Sequence, residues 1–404
     1  MNSSNKKKLM LFLLVAVFAF YIAENIYGDI FNNYLDKVQN LDTGARSMLE
    51  FPRELPGFLS VFAISALFFL GEGAIAATAC FLLGIGLFAL TIPALTGNYW
   101  LLCFWIAVAS FGQHFFMVIV DAIVLHSAAP ENRSLRLGQM KSLITAAGLI
   151  ASAFVWIKWK YFNQNFNIDF LISGIIVIGA GIILIITKPA GHLKKCADWR
   201  DRLIIRKQYS LYYILEAFFG ARKQVFLTFG FWLLVSTLGK SPAYMGKLLC
   251  IAGIIGLGFR PFVGKMIQVY GERRALIVES ILVAAVCLGY AFAMKLFTIE
   301  TAVIVLSSCF VADASCFAFG MARSSYLAQI VATNDDLTPS LYSGMAINHV
   351  TSIISAILGG LLWKITGEHM WVFIFAAALG IIYGIFAARI KTPVQAANRQ
   401  IKTF

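Results

Sequence analysis

The sequence predicts an all-α polytopic membrane protein with 12 transmembrane helices in two pseudo-symmetric six-helix bundles. Three observations carry this. Of 404 residues, 60% are hydrophobic and 13% charged, against about 25% charged in soluble domains. Mean hydropathy is +0.79, and no soluble domain of this length has enough interior to hide so much apolar surface. About 242 apolar residues supply roughly 12 spans of about 20 residues each.

The apolar runs, broken by polar and turn residues, place the spans in order. The first is 9–31. A basic start, Lys6, Lys7 and Lys8, before an apolar run imitates a secretory signal. The run continues through Tyr21, Glu24 and Asn25 without a small-x-small cleavage site, so it reads as a retained helix. Span two, 57–70, follows a charged turn bounded by Pro52 and Pro56, which sets where the helix begins. Only Gly71-Glu72-Gly73 separates it from span three, 74–95. Spans four to six are 99–126, 139–159 and 168–187; spans seven to nine are 210–237, 243–263 and 274–295. The last three are 300–329, 341–363 and 370–390.

Lys and Arg set the orientation, because they accumulate in cytoplasmic loops. With the N-terminus inside, about twenty lie on inner segments, including Lys141, Lys188, Arg206, Lys265, Arg273, Arg274 and Arg389. About eight lie outside: Lys37, Arg46, Arg53, Lys158, Lys160, Lys240, Lys295 and Lys364. Both termini are therefore expected in the cytoplasm, in a cell (inner) membrane. Lys158 and Lys160 run against the rule, and Trp156 and Trp159 beside them read as an interfacial belt. The net charge of +13 then serves topology, and no nucleic-acid partner is expected. The 7 cysteines include no CxxC pair and read as small buried hydrophobes.

The longest inner connector, 188–208, divides an N-terminal bundle, 1–187, from a C-terminal bundle with a short tail, 209–404. Its stretch 199–205 reads as a short helix on the inner leaflet. Six spans on each side suggest duplicated bundles facing each other across a central cavity. Weak repetition supports this: Pro130-Glu131-Asn132-Arg133 after span four matches in place Thr333-Asn334-Asp335-Asp336 after span ten.

Between spans eight and nine the chain reads Gly264-Lys265-Met266-Ile267-Gln268-Val269-Tyr270-Gly271-Glu272-Arg273-Arg274. This resembles the inner-loop signature of the major facilitator superfamily: two glycines seven residues apart, then a basic pair. The glycines permit a tight turn, and Arg273 and Arg274 stay at the inner surface. The acidic position of the signature is Gln268 here, and the first-half loop is cut down to Gly71-Glu72-Gly73. The resemblance implies alternating-access transport and leaves the substrate open.

Charges at membrane depth cost at least about 2.5–3.5 kcal/mol each, so they mark candidate sites. On span seven, Glu216, Gly220 and Lys223 share a helix face, beside Arg222 and Gln224. Arg222 and Lys223 read as a cationic anchor for an anionic or zwitterionic substrate, or as half of an ion pair. On span four, His114 and Asp121 are seven residues apart and face the same way. An acid and an imidazole are the ingredients of a proton relay; the alternative pairs Asp121 with a cation on span seven, eight or ten. Asp313 on span ten is a substrate or proton candidate, and Arg323 reads as a clamp near Asp335 and Asp336. Tyr21 and Asn25 on span one read as substrate contacts, with Asp29 and Asn33 at the outer mouth. His349 reads as packing or a proton site, and Arg260 with Glu279 as a fold-fixing pair.

The sequence holds no G-x-x-x-x-G-K-[ST], HExxH or G-x-S-x-G, so neither a nucleotide motor, a metal nor a nucleophile is expected. The reading is a secondary active transporter of a small organic solute, not an enzyme. It needs no cofactor and works as a monomer in the lipid bilayer, with protons driving it. A lipid-modifying enzyme and a non-transporting sensor or assembly subunit are the alternatives.

Overall fold

The computed structural model describes residues 3–66, 70–127, 133–162, 164–187 and 205–391. The connector 188–204, with most of its expected inner-leaflet helix, lies outside the described residues, as do 130–132 of the span-four loop and the tail from 392.

Helices α1 (Ser3–Lys37), α2 (Thr43–Met48), α3 (Glu50–Ala66), α4 (Glu72–Ala89), α5 (Tyr99–Ser127), α6 (Arg133–Tyr161) and α7 (Phe166–Thr187) come first. Then follow α8 (Ser210–Val225), α9 (Pro242–Leu296), α10 (Ile299–Cys316), α11 (Gly320–Ile330), α12 (Asn334–Thr366) and α13 (His369–Ala387). Among the described residues, 9 helices are long and apolar enough to cross a membrane. One of them, α9, is two of the expected spans. It changes course at Gly271, whose φ of 80° and ψ of 165° suit glycine because no Cβ opposes them. Span two falls on α3, which begins at Glu50, so the stretch bounded by Pro52 and Pro56 is helix rather than the expected turn. Span seven falls on α8 and continues through π-helical turns at Phe226–Gly230 and Leu233–Thr237. The helices are consistent with twelve spans.

The chain forms two compact units. The first comprises Met1–Ala45, Leu49–Trp199 and Gly239–Gly253; the second comprises Arg46–Met48, Arg200–Leu238 and Ile254–Phe404. In the first unit α1 packs on α6 and α7, and α4 lies between α5 and α7. Aromatic pairs add to this packing: Phe20 of α1 stacks on Phe116 of α5 at 3.7 Å, and the Tyr34 ring of α1 meets Phe170 of α7 edge-on at 4.9 Å. In the second unit α8 packs on α12 and α13.

One expectation is corrected in the first unit. Lys158 and Trp159 are buried rather than spread at an interface. Lys158 lies 2.7 Å from the Asp169 carboxylate, and the Trp159 indole N–H donates to the same group at 2.8 Å. Burial without such a partner would cost several kcal/mol, on the order of the penalty for a lone ion. The pair ties α6 to α7, and it explains why Lys158 breaks the loop-charge rule.

Candidate functional site

The second unit gathers its polar side chains around α8. The spacing of Glu216, Gly220 and Lys223 puts them on one face, and the glycine lets α12 approach closely. A Cβ on Gly220 would lie 2.5 Å from the Asn348 carbonyl oxygen. Asn348 therefore sits between the two charges. Its Nδ2 donates to Glu216 Oε2 at 3.2 Å, and its Oδ1 accepts from Lys223 Nζ at 2.9 Å. Ser352 Oγ donates to the Gly220 carbonyl at 3.1 Å.

Arg323 on α11 completes this network. Its Nε donates to Glu216 Oε1 at 3.0 Å, and its Nη1 lies 3.4 Å from Glu279 Oε2 on α9. Tyr383 Oη accepts from Arg323 Nη1 at 3.2 Å and donates to Glu279 at 2.7 Å. The guanidinium also covers the Phe219 ring at 3.5 Å. Two expectations are replaced here. Arg323 pairs with Glu216 and Glu279 rather than clamping the α12 start. Asp336 instead accepts from Arg206 at 2.7 Å and Tyr209 Oη at 2.8 Å. Glu279 takes Arg323 and Tyr383 as partners, while Arg260 is exposed.

Arg222 and Asp313 are hydrogen-bonded to each other and buried at 4% and 2% exposure. Phe219 and Phe317 line the guanidinium at 5.6 and 5.8 Å. Three acids, Glu216, Glu279 and Asp313, thus face three bases, Arg222, Lys223 and Arg323, within one unit. That balance is what a low-dielectric interior requires. Lys223 and Glu216 are partly accessible; Arg222 is not.

The first unit has its own polar cluster on α1 and α5. Gln113 Nε2 donates to Glu24 Oε1 at 2.5 Å, and Asn25 Nδ2 to Glu24 Oε2 at 3.1 Å and to the Tyr21 carbonyl at 2.6 Å. Tyr21 itself packs edge-on against Phe116 at 6.1 Å. The structure does not bring the two expected relay residues into one hydrogen-bonded pair. His114 Nδ1 bonds its own helix, 2.9 Å from the Ser110 carbonyl. Asp121 receives Lys141 Nζ from α6 on both oxygens at 2.8 Å, and the pair is exposed. The expected cation partners lay on spans seven, eight and ten; the observed one is on span five.

In the signature loop, Gly271 supplies the turn, Gly264 has open space around it, Arg274 is exposed and Arg273 half-buried. The side chain holding the loop in place is Glu272, which sequence reasoning passed over. It accepts from Ser325 at 2.6 Å and Gln329 at 2.5 Å, both on α11. Tyr383 was also missed, since a lone hydroxyl in an apolar span gives no spacing signal.

A polytopic helical chain with a charge-balanced cluster of three acids and three bases in its second unit has the architecture of a multi-pass membrane protein. Residues 9–347 match the sequence model of the Major Facilitator Superfamily. The chain belongs to that family, and it is a multi-pass membrane protein with the fold of its transporters. The nucleoside transporter NupG is similar in structure, with a TM-score of 0.72 at 15% identity, covering 95% of this chain and 99% of that one. A D-xylose-proton symporter gives 0.70 at 16% identity, covering 95% and 97%. The E. coli fucose:proton symporter FucP gives 0.61 at 12% identity, covering 95% and 98%. No curated protein sequence matches the chain.

Proposed function

We propose that the protein is a secondary active transporter, not an enzyme. It moves a small polar organic solute by alternating access and is coupled to protons. It sits in a cell (inner) membrane with both termini cytoplasmic. The observation that carries this reading is the Glu216–Asn348–Lys223 bridge. It presents opposite charges on one partly accessible face of α8, bridged by the Asn348 amide of α12. Such a pair binds a zwitterion by exchanging its internal hydrogen bonds for bonds to the solute. Arg222, already neutralised by Asp313, serves less well as an anchor for a lone anion than Lys223 does. In the first unit, Glu24, Asn25 and Gln113, with Tyr21, are the proposed solute contacts. Their neutral donors and carboxylate also suit hydroxyl groups. The relatives named for nucleosides, xylose and fucose make an uncharged polyol the second reading.

Coupling is assigned to Asp313 and Glu24: protonation of Asp313 would free buried Arg222, protonation of Glu24 would loosen Gln113 and Asn25, and either would shift the balance between conformations. Asp121 is the alternative, and its exposed pairing with Lys141 weighs against it. The test has two stages. A thermal-shift screen of amino acids, carboxylic acids, sugars and nucleosides finds the solute that stabilises the purified protein. Vesicles containing the protein and a pH-sensitive dye then receive that solute. Solute entry with a matching pH change is expected. A solute that stabilises the protein yet never crosses the vesicle would sink the transport reading in favour of a sensor.

A further inference from the structure

Inside the second unit, a small cavity is lined by Phe218, Phe219, Arg222, Glu279, Ser280 and Val283 of α8 and α9, closed by Gly380 and Tyr383 of α13. It has room for about one water molecule. Two observations point to what belongs there. Arg222 is 4% exposed, and its Nη2 has no hydrogen-bond partner among the described residues. Glu279 and Tyr383, hydrogen-bonded to each other at 2.7 Å, line the same cavity. A buried guanidinium N–H left without an acceptor is costly. The room suits a water rather than a larger anion, and Glu279 on the same cavity disfavours a second negative charge. Ser280 is turned aside, its Oγ donating to the Gly380 carbonyl at 2.8 Å. Water satisfies both sides, accepting from Arg222 and donating to Glu279.

We infer that this cavity is a specific water site that joins the Arg222–Asp313 pair to the Arg323–Glu279–Glu216 cluster. With the water, hydrogen bonds run unbroken from Asp313 on α10, through Arg222, Glu279 and Arg323, to Glu216, Asn348 and Lys223. A proton arriving at Asp313 weakens its hold on Arg222. Arg222 then leans, through the water, on Glu279, and Glu279 loosens its grip on Arg323. Glu216 gains Arg323 more fully and releases Asn348. The water is thus the link by which an acid on α10 acts on the proposed solute contacts on α8 and α12. This functional role rests on the transport reading; the water site itself does not.

Gly380 gives a clean probe. A Cβ there would meet Val283 Cγ1 at 3.4 Å, ordinary contact, and no other atom nearer than 3.9 Å. Gly380→Ala therefore narrows the cavity without forcing α9 and α13 apart. Val283→Ile narrows it from the opposite wall. The first measurement is structural, at a resolution that shows ordered waters. The native protein is expected to show one within hydrogen-bond distance of Arg222 Nη2 and Glu279, and Gly380→Ala to lack it. No water in the native cavity would overturn the site, whatever the transport assays give. The second measurement uses the solute found by the stabilisation screen. Gly380→Ala and Val283→Ile should each lower proton-driven accumulation about tenfold, the worth of one charge-assisted hydrogen bond. Solute exchange at equal pH should stay at the native rate. If both variants lose the water yet accumulate solute normally, the link is wrong although the site is right. If the native protein shows the water but moves no solute, the transport reading fails and the site stands.

Discussion

Arg222 and Asp313 illustrate what a charge at membrane depth implies at the scale of a residue. Each is buried, and each is the other's direct ionic partner. Removing one leaves the other as an uncompensated buried charge, at a cost of about 3–5 kcal/mol. Arg222→Met or Asp313→Leu alone should therefore lower the melting temperature sharply in detergent. The double variant, carrying two apolar side chains of similar bulk, should recover most of that loss. Single variants as stable as the native protein would show that the pair is open to solvent. Asp121 and Lys141 form a contrasting case, with side chains 38% and 54% exposed. Exposed pairs are worth about 0–1 kcal/mol. Asp121→Asn should change stability by no more than that and keep gradient-driven accumulation, whereas Glu24→Gln should abolish accumulation while lowering exchange far less. The opposite result would return coupling to Asp121.

At the scale of an element, α8 depends on the absence of a side chain at Gly220. The α12 backbone at Asn348 lies where a Cβ would stand, and backbone cannot swing aside as a flexible side chain can. Gly220→Ala should force the helices apart at a cost of about 1–3 kcal/mol, read as a lower melting temperature. It should also weaken solute binding, because Asn348 would no longer reach both Glu216 and Lys223. Unaltered stability and affinity would show that α8 and α12 separate freely. The face shared by Glu216, Gly220 and Lys223 was legible in the sequence, since i, i+4, i+7 spacing is local geometry. So were most helix ends: 99–126 became Tyr99–Ser127, and 370–390 became His369–Ala387. Partners across helices were not legible. Spacing shows which way Glu279 points along α9, but only tertiary packing delivers Arg323 and Tyr383 to it. Lys158 misled for the same reason: its charge suggested a loop, while Asp169 eleven residues later neutralised it inside the fold. The π-helical turns after α8 left no mark in the apolar run from Val225 to Leu238.

At the scale of the whole molecule, the +13 charge carries information about sidedness that no single helix holds. The part of α9 after Gly271 runs as one span to Leu296. At 1.5 Å per residue it covers roughly 37 Å, about one membrane thickness. Gln268 and Glu300, both exposed, therefore mark opposite faces of the membrane. The loop at Gln268 carries Lys265, Arg273 and Arg274; the loop at Glu300 carries Lys295, paired with Glu368 at 2.9 Å. Three bases against one predict that the Gln268 loop is cytoplasmic. The prediction is tested with a variant lacking the native cysteines. Glu300→Cys should react with a membrane-impermeant maleimide on intact cells, and Gln268→Cys only after the membrane is opened. The reverse pattern would place both termini outside and turn the Lys and Arg imbalance into an exception. It would also reverse the face from which a proton reaches Asp313, so sidedness and coupling direction stand or fall together.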